Sequence, residues 1–264
     1  MTTNRQRVFI TGASSGLGAA LARKYAEQGA VLGLVARRRE MLQQLVAALP
    51  HAADHQIYAL DVNDHAALTE AATAFIAHAQ GIDIVIANAG ISRGTLTEYA
   101  EDLQVFEQVF ATNVTATVAT FSPFIATMQA QAAAGHTACR LVGIGSVAGI
   151  RGLPGAGAYS ASKSAVISYC ESLRVELKKS GIKVVTIAPG YIDTPMTQVN
   201  DYAMPFLMPV EKFAEVATAT IAAGCSYRVI PWQMGVVAKV LRLLPNWAYD
   251  FLFANAPRKA RKTS

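Results

Sequence analysis

The stretch Thr11-Gly12-Ala13-Ser14-Ser15-Gly16-Leu17-Gly18 joins a short β-branched run, residues 8–11, to a helix-length segment, residues 17–28. Each glycine has a physical use there. Gly12 permits a tight turn, Gly16 lets the backbone come close to a ligand, and Gly18 lets helix and strand pack closely. A helix that opens on such a loop points its first backbone N–H groups at whatever lies in front of it. The expected occupant is an anion, specifically the pyrophosphate of a dinucleotide, with Ser14, Ser15 and Leu17 beside it.

Outward from this loop the pattern repeats. Apolar, β-branched runs recur at residues 31–36, 57–60, 82–87, 140–144 and 183–188. Helix-length segments separate them at 39–49, 66–79, 103–134 and 159–180. The runs are apolar throughout rather than alternating, as strands buried on both faces are. Gly29, Gly81 and Gly181 stand where helices should stop before the next strand. Six strands alternating with helices predict an α/β fold: a Rossmann-like, doubly wound parallel sheet with helices on both faces. No Pro/Ser-rich linker and no internal repeat divides the 264 residues, so one domain is expected.

Composition agrees. Apolar residues make up 52% of the chain, enough for a sizeable core. The formal charge is +5, from 23 basic and 18 acidic residues. Four of the basic residues, Arg258, Lys259, Arg261 and Lys262, crowd the C-terminus, and without them 19 stand against 18. That balance argues against nucleic acid as a partner; the tail reads as a solvated terminus, with contact to an acidic surface as the alternative. Cys139, Cys170 and Cys225 are odd in number and far apart, which suggests neither a disulfide framework nor a metal site and fits a reducing, cytoplasmic setting. Residues 1–7 are polar and lack the apolar core of a signal peptide. No run of about 20 uncharged apolar residues predicts a spanning helix.

The end of the second run bears on which dinucleotide is bound. An acidic residue there would accept hydrogen bonds from a ribose diol. Ala36 takes that place, followed by Arg37, Arg38 and Arg39. A 2′-phosphate is repelled by a carboxylate and paired by a guanidinium, so NADP(H) is expected over NAD(H), with Arg37 sufficient and Arg38 adjacent.

Two further residues suggest chemistry. Tyr159 and Lys163 are four apart at the start of a predicted helix and share one face. A free phenol titrates near 10. A Lys ammonium about 4–6 Å away, at an effective dielectric of about 20, stabilises the phenolate by roughly 3–4 kcal/mol. The pair is thus expected to make a general acid for reduction or a base for oxidation. Ser146 ends the fifth run, at the strand edge where open α/β sheets bind ligands, and its hydroxyl there would polarise a carbonyl oxygen.

The loop spacing Gly-x-x-x-Gly-x-Gly, the Tyr-x-x-x-Lys pair and Ser146 thirteen residues ahead of it resemble the short-chain dehydrogenase/reductase family over residues 5–195. The resemblance implies a catalytic set of Asn113, Ser146, Tyr159 and Lys163, with Asn113 holding a water that links Lys163 to solvent. It further implies that Asp61, next to Val62, meets the adenine amino group. Asn88-Ala89-Gly90 would line the cofactor, although Ala87 replaces a customary Asn. Pro189-Gly190, Ile192 and Thr194 would pack on the nicotinamide carboxamide. Ser15 departs from the basic residue that many NADP-binding relatives carry. The resemblance also implies a homodimer or homotetramer built on the 103–134 and Tyr159 helices.

Residues 191–209, rich in Met and aromatic side chains, are expected to fold over the site as a lid for an apolar substrate. Residues 232–253 are strongly apolar, with Val236, Val240, Leu243 and Leu244 on one helical face. They are expected to cap the pocket or bury themselves in an oligomer. Peripheral membrane contact through 232–264 is the other reading. The functional expectation is NADP(H)-dependent hydride transfer between nicotinamide and a small-molecule carbonyl or secondary alcohol. The alternatives are a non-catalytic dinucleotide-binding regulator, or an epimerase or dehydratase on the same fold.

Overall fold

The computed structural model describes residues 5–200, 202–254 and 261. Seven parallel strands form one sheet: β1 (Arg7–Thr11), β2 (Val31–Ala36), β3 (Gln56–Ala59), β4 (Ile84–Ala87), β5 (Arg140–Ile144), β6 (Lys183–Pro189) and β7 (Tyr227–Ile230). Their order is β3-β2-β1-β4-β5-β6-β7. The six expected strands are present. The seventh, at the sheet edge, is additional, as is the helix that leads into it.

Helices α1 (Gly16–Glu27), α2 (Arg39–Ala47) and α3 (His65–Ala79) make the first crossovers. They are followed by α4 (Asp102–Phe110), α5 (Ala116–Ala133), α6 (Gly157–Glu176), α7 (Val210–Ala223), α8 (Trp232–Leu243) and α9 (Asn246–Phe253). Successive strand residues feed opposite layers. Val8 and Ile10 join Leu21, Leu42 and Phe213 on one face. Phe9 joins Leu68, Phe121 and Val166 on the other. Helices α1, α2 and α7 therefore cover one side and α3, α5 and α6 the other, which is why the strands read as continuously apolar.

Strand order reverses between β1 and β4. Ile10 pairs with Leu34 on one side and with Ile86 on the other. The crevice outside the carboxyl ends of these strands is where such sheets take ligands. At the opposite end the two strands are locked by a buried ion pair: Arg7 gives its backbone N–H, Nε and Nη2 to the Asp83 carboxylate at 2.6–2.9 Å.

The segment expected as one helix, 103–134, is a continuous helical run, Asp102–Ala133, with a change of winding inside it. A π-helical turn, Ala111–Thr115, separates α4 from α5 and places buried Asn113 at its centre. By length and composition alone the run Asp102–Ala133 could cross a membrane. Here it belongs to the core layer, with Phe121, Phe124 and Met128 fully buried.

Candidate active site

The glycine loop behaves as its sequence requires. Gly12 and Gly16 have φ of +68° and +54°, where side chains are strained. A Cβ on Gly18 would lie 2.3 Å from the Gly12 carbonyl oxygen. Helix α1 starts at Gly16 with no side-chain cap from Ser15 and no acid in its first turn, so its first N–H groups face the crevice unclaimed by side chains. Asn88 at the end of β4 holds the loop from behind: its Nδ2 donates to the carbonyls of Thr11 (3.0 Å) and Gly12 (3.2 Å). The backbone N–H groups of Asn88 and Ala89 both donate to Thr11 Oγ1 at 3.2 Å. These bonds tie β4 to the loop without help from position 87.

In front of the loop lies a cavity of about 690 Å³, within the ordinary range for a cofactor or substrate site. Its walls include Gly12, Ser14, Ser15, Gly16, Leu17, Arg37, Arg38, Asp61, Val62, Asn88, Ala89 and Gly90. Ser146, Tyr159, Lys163, Pro189, Gly190, Ile192 and Thr194 complete the sequence-predicted set on the same cavity. Gly18 and Asn113, also of that set, stand behind the wall. The cavity also takes in Ile91, Arg93, Gln108, Thr112 and Ile144, which sequence reasoning did not nominate. Arg93 donates to Gln108 at 3.0 Å; its place three residues after Gly90 was the available signal.

The arginines after β2 divide their roles. Arg37, expected to suffice for a 2′-phosphate, is exposed and stands 3.9 Å from Asp61. Arg38 turns back to the loop, within 3.3 Å of Ser14 Oγ and 3.5 Å of Ser15 Oγ. It thus supplies positive charge beside Ser15 from the neighbouring strand end. Asp61 is itself organised, accepting from the Asn63 N–H (2.9 Å) and Nδ2 (3.0 Å).

Ser146 follows β5 in extended conformation and accepts from the Ala148 N–H at 3.1 Å. Tyr159 and Lys163 rise one turn apart on α6. Lys163 is buried, donates to the Ile144 carbonyl at 2.8 Å, and has its Nζ 5.9 Å from the Tyr159 ring centre. Electrostatics differ from the sequence expectation. Burial pushes the Tyr159 phenol above its ordinary value, and a hydrogen bond with Ser146 only partly offsets this. Burial also brings Lys163 down to about 8. The ammonium is spent on a backbone carbonyl and is poorly solvated, so its pull on the phenol is outweighed by desolvation.

Asn113 is bonded to protein on both ends of its carboxamide: Oδ1 accepts from the Ile91 N–H, and Nδ2 donates to the Ile91 carbonyl and Ser162 Oγ. Ser162 in turn donates to the Tyr159 carbonyl at 2.8 Å. Asn113 is therefore a positioning residue that joins the loop after β4 to the helix bearing Tyr159. Gly90 makes the junction tight, since a Cβ there would sit 3.2 Å from Asn113 Oδ1 and 3.5 Å from Lys163 Nζ.

Segment 191–209, of which Asp201 lies outside the described residues, is pinched at its neck. The Asp193 N–H donates to Met208 and the Met208 N–H to Tyr191, at 2.9 and 3.0 Å. Met196 reaches the cavity and Met208 packs on the core. Phe206 and Leu207 are exposed instead of covering the site. The C-terminal helices do not cap the cavity with their exposed faces; only the first turn of α8 backs on it, with Met234 behind Gly190. Of the basic tail, Arg258, Lys259 and Lys262 lie outside the described residues. Arg261 follows the alternative reading, contact with an acidic surface: it pairs with Asp102 and Glu101 and stacks 3.5 Å over Tyr99.

Comparison with known proteins agrees with this geometry. The family model for short chain dehydrogenases matches residues 6–204. An uncharacterized oxidoreductase of Myxococcus xanthus is 37% identical over 243 residues, 92% of this chain and 94% of that protein. The crystal structure of levodione reductase superposes with a TM-score of 0.75 at 27% identity, covering 87% of this chain and 97% of its own. A 3-ketoacyl-(acyl-carrier-protein) reductase from Brucella melitensis, complexed with NADH, has the same fold, with a TM-score of 0.78 at 24% identity over 86% of this chain and 98% of its own. With the glycine cradle, the uncapped α1 and the Ser146–Tyr159–Lys163 cluster on one cavity, the chain belongs to the short chain dehydrogenase family of oxidoreductases, which bind a nicotinamide cofactor and act on small molecules.

Proposed function

We propose that the protein is an NADP(H)-dependent reductase or dehydrogenase acting on a carbonyl or secondary alcohol of an apolar small molecule. The observation that carries this reading is the meeting of Ser146, Tyr159 and Lys163 on the cavity that also holds the glycine cradle. The residues suit the cofactor: Gly12, Gly16 and the start of α1 would take the pyrophosphate, and Arg38 with Ser14 and Ser15 a 2′-phosphate. Nicotinamide, when bound, supplies the hydride donor or acceptor.

The chain's own residues handle the proton. Ser146 and Tyr159 offer two hydroxyls to one substrate oxygen, which polarises its carbonyl. Tyr159 donates its proton to that oxygen in reduction and takes it back in oxidation. A phenol held above its ordinary pKa is fully protonated at neutral pH, which favours the acid role. Lys163 steadies the phenolate left behind. Ile91, Ile144, Ile192 and Met196 on the cavity wall support an apolar substrate. Leu103, Phe106 and Val118, exposed along α4 and α5, support self-association through that layer.

The test is NADPH consumption against a panel of carbonyl compounds, with Tyr159→Phe beside the native chain. The variant should bind NADPH normally and lose nearly all turnover. Retention of most of the activity rejects the assignment, and NADPH binding without turnover of any compound favours a regulatory protein.

A further inference from the structure

We propose that helices α8 and α9 form a docking surface for an anionic lipid bilayer. The chain has two tryptophans, and both lie exposed on this pair: Trp232 at 66% and Trp247 at 77%. Leu243 and Phe251, each 83% exposed, are the most exposed large apolar side chains described. Scattered apolar residues on a surface are ordinary. A set concentrated in two consecutive helices is not.

The arrangement is amphipathic. Trp232, Val236, Val240 and Leu243 follow spacings of four, four and three, which keeps them on one side of α8. Trp247 and Phe251 repeat the spacing on α9. The opposite sides are seated: Met234, Ala238 and Tyr249 are buried. Arg151 fixes both helices to the body. Its guanidinium donates to the carbonyls of Leu241 and Leu244 and to Asn246 Oδ1, and lies 4.0 Å over the Tyr249 ring. The surface is thus ordered before it meets a partner, which lowers the cost of docking.

Charge selects the occupant. Lys239 and Arg242 border the α8 stripe, and Asp250 is the single acid on the two helices. Arg258, Lys259 and Lys262 follow in the sequence. A second copy on this face would offer Lys239 and Arg242 only Asp250 as an acidic partner. An anionic bilayer instead accepts Lys and Arg at its headgroups, Trp at its interface and the aliphatic stripe just beneath.

The experiment uses the full chain with phosphatidylcholine vesicles and with mixed phosphatidylcholine–phosphatidylglycerol vesicles. Because both tryptophans sit on the surface, intrinsic emission reports docking directly. The native chain should co-sediment with the mixed vesicles and shift its emission to the blue, both effects weakening as salt rises. Leu243→Ser with Phe251→Ser should lower vesicle affinity by about tenfold or more. Lys239→Gln with Arg242→Gln should remove most of the preference for the anionic vesicles. All four side chains are exposed, so thermal melts should match the native chain. Three results overturn the proposal: no co-sedimentation and unmoved emission; vesicle binding that survives Leu243→Ser/Phe251→Ser; or a dimer in solution that this double variant dissolves, which makes the face a contact between copies.

Discussion

Asn113 grips both backbone groups of Ile91: its Oδ1 accepts the Ile91 N–H at 2.8 Å and its Nδ2 donates to the Ile91 carbonyl at 3.0 Å. A third bond, to Ser162 at 2.9 Å, reaches the helix of Tyr159 and Lys163. Asn113→Ala takes the partner from the half-buried Ile91 N–H and carbonyl and leaves a void behind the cavity wall. At about 1–3 kcal/mol for an unsatisfied buried group, the variant should lose about 2–4 kcal/mol of stability in urea melts. Asn113→Asp keeps the acceptor and loses the donor, so its loss should be no smaller at neutral pH. Native-like melts for both variants would refute the clamp.

Cofactor choice should follow Arg38 more than Arg37. Arg38 stands beside the Ser14 and Ser15 hydroxyls, whereas Arg37 faces Asp61. Charge-assisted hydrogen bonds are worth about 1.5–3 kcal/mol. Arg38→Leu should therefore cut kcat/KM for NADPH by about 10–100-fold while changing that for NADH by less than about threefold. Arg37→Leu should act more weakly. Equal losses with both cofactors would show that Arg38 does not read a 2′-phosphate.

Gly18 tests the cradle itself. An added methyl would meet the Gly12 carbonyl oxygen at 2.3 Å and Asn88 Nδ2 at 2.6 Å. The turn must then open, and the N–H groups at the start of α1 lose their aim. Gly18→Ala should weaken dinucleotide binding by at least about tenfold in calorimetry. An unchanged affinity would place the pyrophosphate elsewhere.

Lys163 makes a pH prediction. Burial brings it from 10.5 to about 8, a cost to the native state of about 3 kcal/mol. The unfolded chain binds the extra proton between these values. The cost is therefore full below pH 8 and fades as pH rises toward 10.5. In Lys163→Met this cost is gone, and the orphaned Ile144 carbonyl adds a loss that does not depend on pH. The stability of the variant relative to the native chain should fall by about 3 kcal/mol between pH 7 and pH 10.5. Parallel curves over that range would contradict the buried ammonium.

The fold was legible because its strands are buried on both faces, which leaves uninterrupted runs such as 31–36 and 183–188 in the sequence. β7 escaped because it is an edge strand whose first residues, Tyr227 and Arg228, are exposed. Helix α7 had a readable pattern in Phe213, Ala214, Ala217 and Ile221, closed by Gly224 in left-handed conformation. The π turn had no signal: Ala-Thr-Asn-Val-Thr continues a helical pattern as well as it interrupts one. Site residues on strand ends and helix starts were placed by spacing alone, as Ser146 and Tyr159 were. Side-chain direction was not: the turn of Arg38 toward Ser14 and Ser15, the grip of Asn113 on Ile91 and the exposure of Phe206 come from packing that spacing does not record. The long-range contacts of Arg151 and Arg261 leave no local pattern to read.

The gap between Ser146 and Tyr159 is bridged by a loop that Arg151 pins to the C-terminal helices, while Tyr249 donates to the carbonyl of Gly152 next to it. The loop between the two hydroxyls that would hold a substrate oxygen is thus anchored from outside the sheet. The C-terminal helices therefore touch the site twice: the Arg151 guanidinium and the Tyr249 hydroxyl hold the loop between the two hydroxyls, and Met234 backs Gly190 on the cavity wall.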